Sequence, residues 1–311
     1  MKKIFLRLTI FSLPVILSIL IIEIRLSSAP TEEYLKKAYF ERNLDSIEIL
    51  VLGSSHAFYG IDPSYFSMRG FNIAFLSQSL FYDSRIVLNY LKRMPKLKAV
   101  IITVSYHSLE YQVCDGFGYF HDFPYYQYWG FRYPEILWYD PRNYSKLLNF
   151  YSEGYRVRKM LFKNVIANYS NESRYGYRFN SPVVETADLS EKLVSEQVHV
   201  LDYFCLHSRI DENIHYLITM IEALKGARVK PILITIPVTS VFDKFANQQR
   251  NRFRIAICNS LARTYQVDYL NYYSDSRFGD EDFYDCDHLN YDGAKKFSKI
   301  LNNTIMSSII K

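Results

Sequence analysis

Ile47-Glu48-Ile49-Leu50-Val51-Leu52-Gly53-Ser54-Ser55-His56 is the stretch whose reading decides the fold of this 311-residue chain. Its first six residues are a compact apolar run rich in branched side chains, ended by a glycine, which predicts a buried strand closing in a turn. Similar short runs recur at Phe71 to Leu76, Ala99 to Val104 and Pro231 to Ile236, with a weaker one at Val267 to Leu270. Between or after them lie segments with apolar residues at helical spacing: Leu80 to Met94 before Pro95, Glu212 to Leu224, Asn247 to Tyr265 and Gly293 to Ile310. Asp62-Pro63 supplies an N-cap and a first-turn proline for a further short helix. Strands alternating with helices predict an α/β protein: a three-layer α/β/α sandwich around a mainly parallel, flavodoxin-like sheet of five strands.

The alternation breaks down between Tyr106 and Arg209. Both tryptophans, Trp129 and Trp138, and half of the 28 tyrosines fall there. An unstructured loop of that length is improbable in a compact domain, so residues 107–209 read as an ordered aromatic-rich insertion or cap, with helix expected near Tyr144 to Ile166. At the other end, Lys2, Lys3 and Arg7 precede an uncharged stretch from Leu8 to Ile22. That is close to the roughly 20 residues a bilayer-spanning helix needs, and the basic flank would keep the N-terminus inside and send the rest out. Residues 1–30 are therefore expected to anchor the chain in a membrane, with 31–46 as a short helix or stalk and 47–311 as the folded domain on the extracytoplasmic side. A cleaved export signal is the rival, since Ser27-Ser28-Ala29 resembles a processing site, although Pro30 follows it directly.

Composition narrows the function classes. Hydrophobic residues make up 49% and charged residues 22%, without repeats or low-complexity tracts, and the net charge of +5 is spread along the chain with no basic block. Nothing here points to nucleic acid. The four cysteines, Cys114, Cys205, Cys258 and Cys286, lack C-x-x-C spacing, so no zinc site is expected and no disulfide pairing is dictated.

Ser55, at the end of the first strand, can expose its hydroxyl at the sheet edge and its N–H at a helix start. Taken alone, Gly53-Ser54-Ser55 reads as a turn that only ends a strand. Near the C-terminus, however, Asp285-Cys286-Asp287-His288 precedes an amphipathic helix. Serine, histidine and a carboxylate are the three groups that acyl transfer through a serine needs, whatever their order in the chain. Asp285, Ser55 and His288 are thus the candidate triad. His56, Ser105 and His107 sit near the expected sheet edge as candidate substrate contacts, with satisfied structural roles the plainer reading for both histidines. Cys286 reads as a small filler beside the site.

Gly53-Ser54-Ser55 and Asp285-Cys286-Asp287-His288-Leu289-Asn290 resemble the first and last sequence blocks of the SGNH (GDSL-like) hydrolase superfamily, with Ser54 in place of the commoner Asp. Phe71 to Ser79 occupies the place of the second block, where Ser77 stands for the usual glycine whose N–H joins that of Ser55 in the oxyanion hole. The third block's Gly-x-Asn-Asp is missing, and Ser105-Tyr106-His107 follows the third strand instead. The resemblance covers roughly residues 47 to 106 and 210 to 311. Loss of one oxyanion donor typically costs roughly 2.7–4 kcal/mol of transition-state stabilisation, so an efficient general esterase would need a substitute. A Gly-Ser-Ser block behind an N-terminal anchor is further similar to the D-alanyl transfer proteins of teichoic acid modification and, more loosely, to the O-acetylation proteins of alginate and peptidoglycan assembly. The resemblance implies an extracytoplasmic, serine-dependent O-acyltransferase or esterase acting on a cell-surface polysaccharide. It implies a membrane-bound O-acyltransferase as a partner and requires no metal or organic cofactor. The alternative is a non-catalytic SGNH-like scaffold that binds glycan or such a partner.

Overall fold

The computed structural model describes residues 2–28, 31–115, 122–148, 176–177, 187–205 and 209–309. Five short strands, β1 (Ile49–Leu52), β2 (Gly70–Asn72), β3 (Ala99–Thr103), β4 (Lys230–Thr235) and β5 (Asp268–Asn271), pair in the order β2-β1-β3-β4-β5. Every pairing is parallel, with Ile49 opposite Gly70 on one side and Ala99 on the other. This is the flavodoxin-like order expected from the alternation of elements. The order reverses between β1 and β3, and the crevice beyond the carboxyl ends of those strands is where such sheets bind ligands.

Side chains alternate across the strands. Leu50, Leu52, Val100, Ile102 and Leu233 face a core closed by α2 (Glu32–Asn43), α4 (Leu80–Tyr90), α6 (Ile210–Gly226) and α8 (Gln248–Tyr265). Ile49, Val51, Ile101, Ile232 and Ile234 face the other core, closed by α3 (Ser55–Gly60) and α9 (Tyr291–Ile309). Two further helices, α5 (Glu191–Phe204) and α7 (Ser240–Phe245), pack on each other through Val194, Val198 and Phe242.

Several elements depart from expectation. The second strand is only three residues long: the Ile73 and Phe75 N–H groups still donate to the Val51 and Gly53 carbonyls, and the Asn72 side chain ties the turn that follows, donating to the carbonyls of Ala57 and Ile61 and accepting from the Ala74 N–H. Residues 31–46, expected as a short helix or stalk, form α2 and pack on the domain. Thr31 caps α2, and Phe40, fully buried, packs on Phe71 and Tyr90 with ring centroids 5.5 and 5.1 Å apart. Within the insertion, α5 buries Val194 and Val198, with Leu201 packed beside them at helical spacing. The helix expected near Tyr144 to Ile166 lies mostly outside the described residues, and 146–148 form a turn. The insertion's aromatic residues Tyr111, Tyr125 and Tyr133 pack with Phe81 and Tyr82 at the start of α4.

The first helix, α1 (Lys2–Ser28), contains one stretch long and apolar enough to cross a membrane, Thr9–Ser27, with mean hydropathy 2.1 and almost none of its surface buried in the protein.

Candidate active site

Gly53 makes the turn that presents Ser55. Its φ is +135°, and a Cβ there would lie 1.6 Å from the Thr103 Oγ1, so only glycine fits between β1 and β3. Its N–H donates to the Asp83 carboxylate at 3.1 Å, and the same oxygen accepts from the Gln78 Nε2 at 2.6 Å. Burial raises the Asp83 pKa to about 7, and these two donors offset only part of that. Ser54 then takes the extended conformation that precedes a helix, and Ser55 is the first residue of α3. Its N–H is among those a helix start leaves without an internal partner.

The opposite side of the site is built by the loop before α9. Asp285 Oδ1 accepts from the backbone N–H groups of Asp287 and His288 at 3.0 and 2.8 Å, which tightens the loop over itself. Phe283 bridges Leu289, and the buried Asn290 holds the loop's far end, accepting from the Gly293 N–H at 2.9 Å and donating to the Glu281 carbonyl at 2.7 Å. The result is a close contact across the whole length of the domain. His288 Nε2 lies 2.7 Å from Ser55 Oγ, and its Nδ1 lies 2.9 and 3.0 Å from the two Asp285 oxygens.

A second carboxylate, not singled out by the sequence reading, shares that imidazole. Asp287 Oδ1 is 3.1 Å from His288 Nδ1, while Asp287 Oδ2 accepts from His56 Nε2, also at 3.1 Å. The His56 ring stacks on the His288 ring, with centroids 4.7 Å apart and planes 26° apart, and its Nδ1 lies 3.4 Å from Ser54 Oγ. Ser54, His56 and Asp287 thus run alongside Ser55, His288 and Asp285. Burial opposes charge on His288, but the carboxylates of Asp287 and Asp285 outweigh it and hold its pKa well above the ordinary histidine value. Burial likewise opposes ionisation of Asp287, yet the two histidines hold its pKa well below the carboxylate range. Ligand-type atoms of His56, Asp287 and His288 lie within 4.8 Å of one another. The nitrogens facing Asp287 are already engaged with carboxylate oxygens, which is the arrangement of a proton network.

His56, Ser105 and His107 are all buried, and for the two histidines that is the plainer of the readings given above. His56 is buried with both nitrogens turned to protein groups, so it stands behind His288 and not against a substrate. The Ser105 hydroxyl is buried too, without a hydrogen-bond partner among the described residues. His107 packs 5.6 Å from His56 and edge-on to Tyr111 at 5.4 Å. Burial, reinforced by His56, pushes its pKa down to about 3, so the ring is neutral. Ser77 adopts φ +57°, the left-handed region where glycine is at ease, with Tyr111 beside its side chain. All four cysteines are free, and the Cys286 thiol donates to Gln197 at 2.9 Å, its pKa pushed up by burial. The pairing of Asp287 with His56 had a trace in the sequence: a second Asp directly before the histidine, and a His directly after the serine.

No curated protein matches this sequence. A family model that carries no description matches residues 203–310. Among solved structures, the chain is similar to a candidate acylhydrolase from Bacteroides fragilis NCTC 9343, at 11% identity and a TM-score of 0.44, over 88% of this chain and 96% of that one. It is also similar to a GDSL-like lipase from Bacteroides thetaiotaomicron VPI-5482, at 10% identity and a TM-score of 0.41, over 89% and 98% of the two chains.

Proposed function

We propose that this chain is a serine-dependent O-acyltransferase or esterase that works outside the cytoplasm on a cell-surface polysaccharide. The observation that carries the chemistry is the unbroken relay from Ser55 Oγ through His288 to Asp285, at 2.7 Å and 2.9 Å. These are the working distances of a nucleophile, its base and the group that orients the base.

In this mechanism the Ser55 oxygen attacks the acyl carbonyl and its proton passes to His288 Nε2. The resulting oxyanion is met by the backbone N–H groups of Ser55, at the start of α3, and of Ser77, whose left-handed backbone reproduces a glycine turn. Collapse breaks the bond to the leaving group, which takes the proton from His288 and leaves an acyl-serine. A sugar hydroxyl or water then attacks that ester, again giving its proton to His288, and Ser55 is released with the proton returned. Asp285 holds the ring throughout. Asp287, itself oriented by His56, acts as a positioning residue and adds a second negative charge against the imidazolium formed at each step.

The polysaccharide and the membrane-bound acyltransferase partner come from the sequence resemblance, and the exposed position of the apolar α1 is consistent with work at the cell envelope. The deciding experiment is complementation. Cells lacking this protein and carrying Ser55→Ala should lose acylation of the envelope glycan, while His288→Ala should do the same. Normal glycan acylation with Ser55→Ala would overturn the catalytic reading and leave a binding scaffold in its place.

A further inference from the structure

The uncharged stretch of α1 ends at Ile22, and Glu23 is the next residue. A carboxylate is costly in hydrocarbon, so when α1 crosses a bilayer Glu23 marks the level where acyl chains give way to headgroups. Its oxygens are fully occupied by one loop of the insertion. They accept from the Ser145 hydroxyl at 2.8 Å and from the backbone N–H groups of Lys146 and Leu147 at 2.7 and 3.0 Å. Leu26, one turn further along α1, is buried in the protein. The loop is therefore fixed at the level of Glu23.

Its surface is unlike the rest of the domain. Leu137, Trp138, Tyr139, Tyr144 and Leu148 are each half or more exposed, and no other described segment outside α1 concentrates large exposed apolar side chains in this way. The loop also holds its own shape: the Tyr144 hydroxyl donates to the Trp138 carbonyl at 2.7 Å, and Arg142 pairs with Asp140 at 2.6 Å. Tryptophan and tyrosine, with apolar rings and polar tips, are the side chains that settle at headgroup level.

We propose that residues 137–148 form a second membrane contact, lying in the headgroup layer of the bilayer that α1 enters, so that the domain is held against the membrane at two places. The proposal rests on α1 being a retained span, and it goes beyond the chemistry assigned to Ser55.

The test uses the full chain in vesicles of phosphatidylcholine and phosphatidylglycerol, with and without lipids brominated near the headgroup end of the acyl chain. The chain has two tryptophans, so Trp129→Phe leaves Trp138 as the sole emitter. Its fluorescence should fall by about twofold in the brominated vesicles, as expected for a ring at the interface. Trp138→Phe, which keeps Trp129, should show little quenching; the difference between it and the parent gives the same answer if Trp129→Phe folds poorly. A chain that floats with the vesicles after a carbonate wash, yet keeps Trp138 unquenched by bromine and open to aqueous iodide, would overturn the proposal alone and leave that surface free for a protein partner. A chain that fails to float would overturn the span and the proposal together.

Discussion

Replacing Asp287 by Asn removes one charge from the site without changing its shape. The carboxylate oxygen stands 3.1 Å from His288 Nδ1, and neither side chain is more than a fifth exposed. Coulomb's law at that distance, with an effective dielectric of about 20, gives an attraction of roughly 5 kcal/mol for the imidazolium. The His56 N–H that shares the carboxylate, and relaxation after its charge is gone, absorb part of this. The rising limb of kcat/KM against pH, which reports the free base, should therefore move to lower pH by roughly 1–3 units, the range that a nearby carboxylate commands. Because two carboxylates hold the His288 pKa above its ordinary value, the parent protein should gain activity toward alkaline pH. At the plateau Asp287→Asn should lose no more than about tenfold, a fraction of the 10²–10⁴ that a general base supplies, since Asp285 still orients the ring. A small acetyl ester and a pH series suffice as the assay, with thermal melts to confirm the fold. A limb that stays at the parent's pH in a folded Asp287→Asn protein would refute the electrostatic role of Asp287.

Three further outcomes follow from the same geometry. Ser55→Ala and His288→Ala should each lower ester hydrolysis by about 10³-fold or more, and the double variant should lose little extra, because the residues act as a unit; additive losses would separate them. Asp83 has its pKa raised to about 7 in the fold, so its contribution to stability is full below its unfolded value and is lost as pH rises through about 7. Asp83→Asn, which can still accept from Gly53 and Gln78, should melt higher than the parent above that pH and no higher near pH 4, as read by calorimetry at both. Gly53→Ala should destabilise by roughly 3 kcal/mol or more, since it combines a positive φ with the Thr103 clash, and adding Thr103→Ala should recover only the steric part. A denaturant midpoint unchanged by Gly53→Ala would contradict the turn.

The sheet was legible because each strand core is a short branched run bounded by turn residues, and parallel strands buried on both faces have little freedom to be anything else. The second run overestimates its strand, because Ile73, Ala74 and Phe75 are buried in the chain that turns after β2, where the Asn72 side chain accepts from the Ala74 N–H. A short helix within 31–46 was legible, but its packing on the domain was not: Phe40 on α2 and Leu44 just after it are spaced for a core, and the mixed charges around them masked it. In the site, Ser55, Asp285 and His288 stood out because their residue types at a strand end and before a helix announce chemistry. The pairing of His56 with Asp287 did not, since it joins residues 231 apart in the chain, a relation no local pattern encodes. Ser77 was named through the resemblance alone, and its left-handed backbone is not something a residue letter announces.

The central claim is that an acyl group passes through Ser55. Brief incubation of the full-length protein with an activated acetyl ester, followed by acid quenching and peptide mass spectrometry, tests it without any need to know the natural acceptor. The account predicts one acetyl group on the peptide that contains Ser55, absent from Ser55→Ala and strongly reduced in His288→Ala. An acetyl group that persists elsewhere in the folded Ser55→Ala protein at the parent's rate, or no adduct in the parent at any pH, would contradict it.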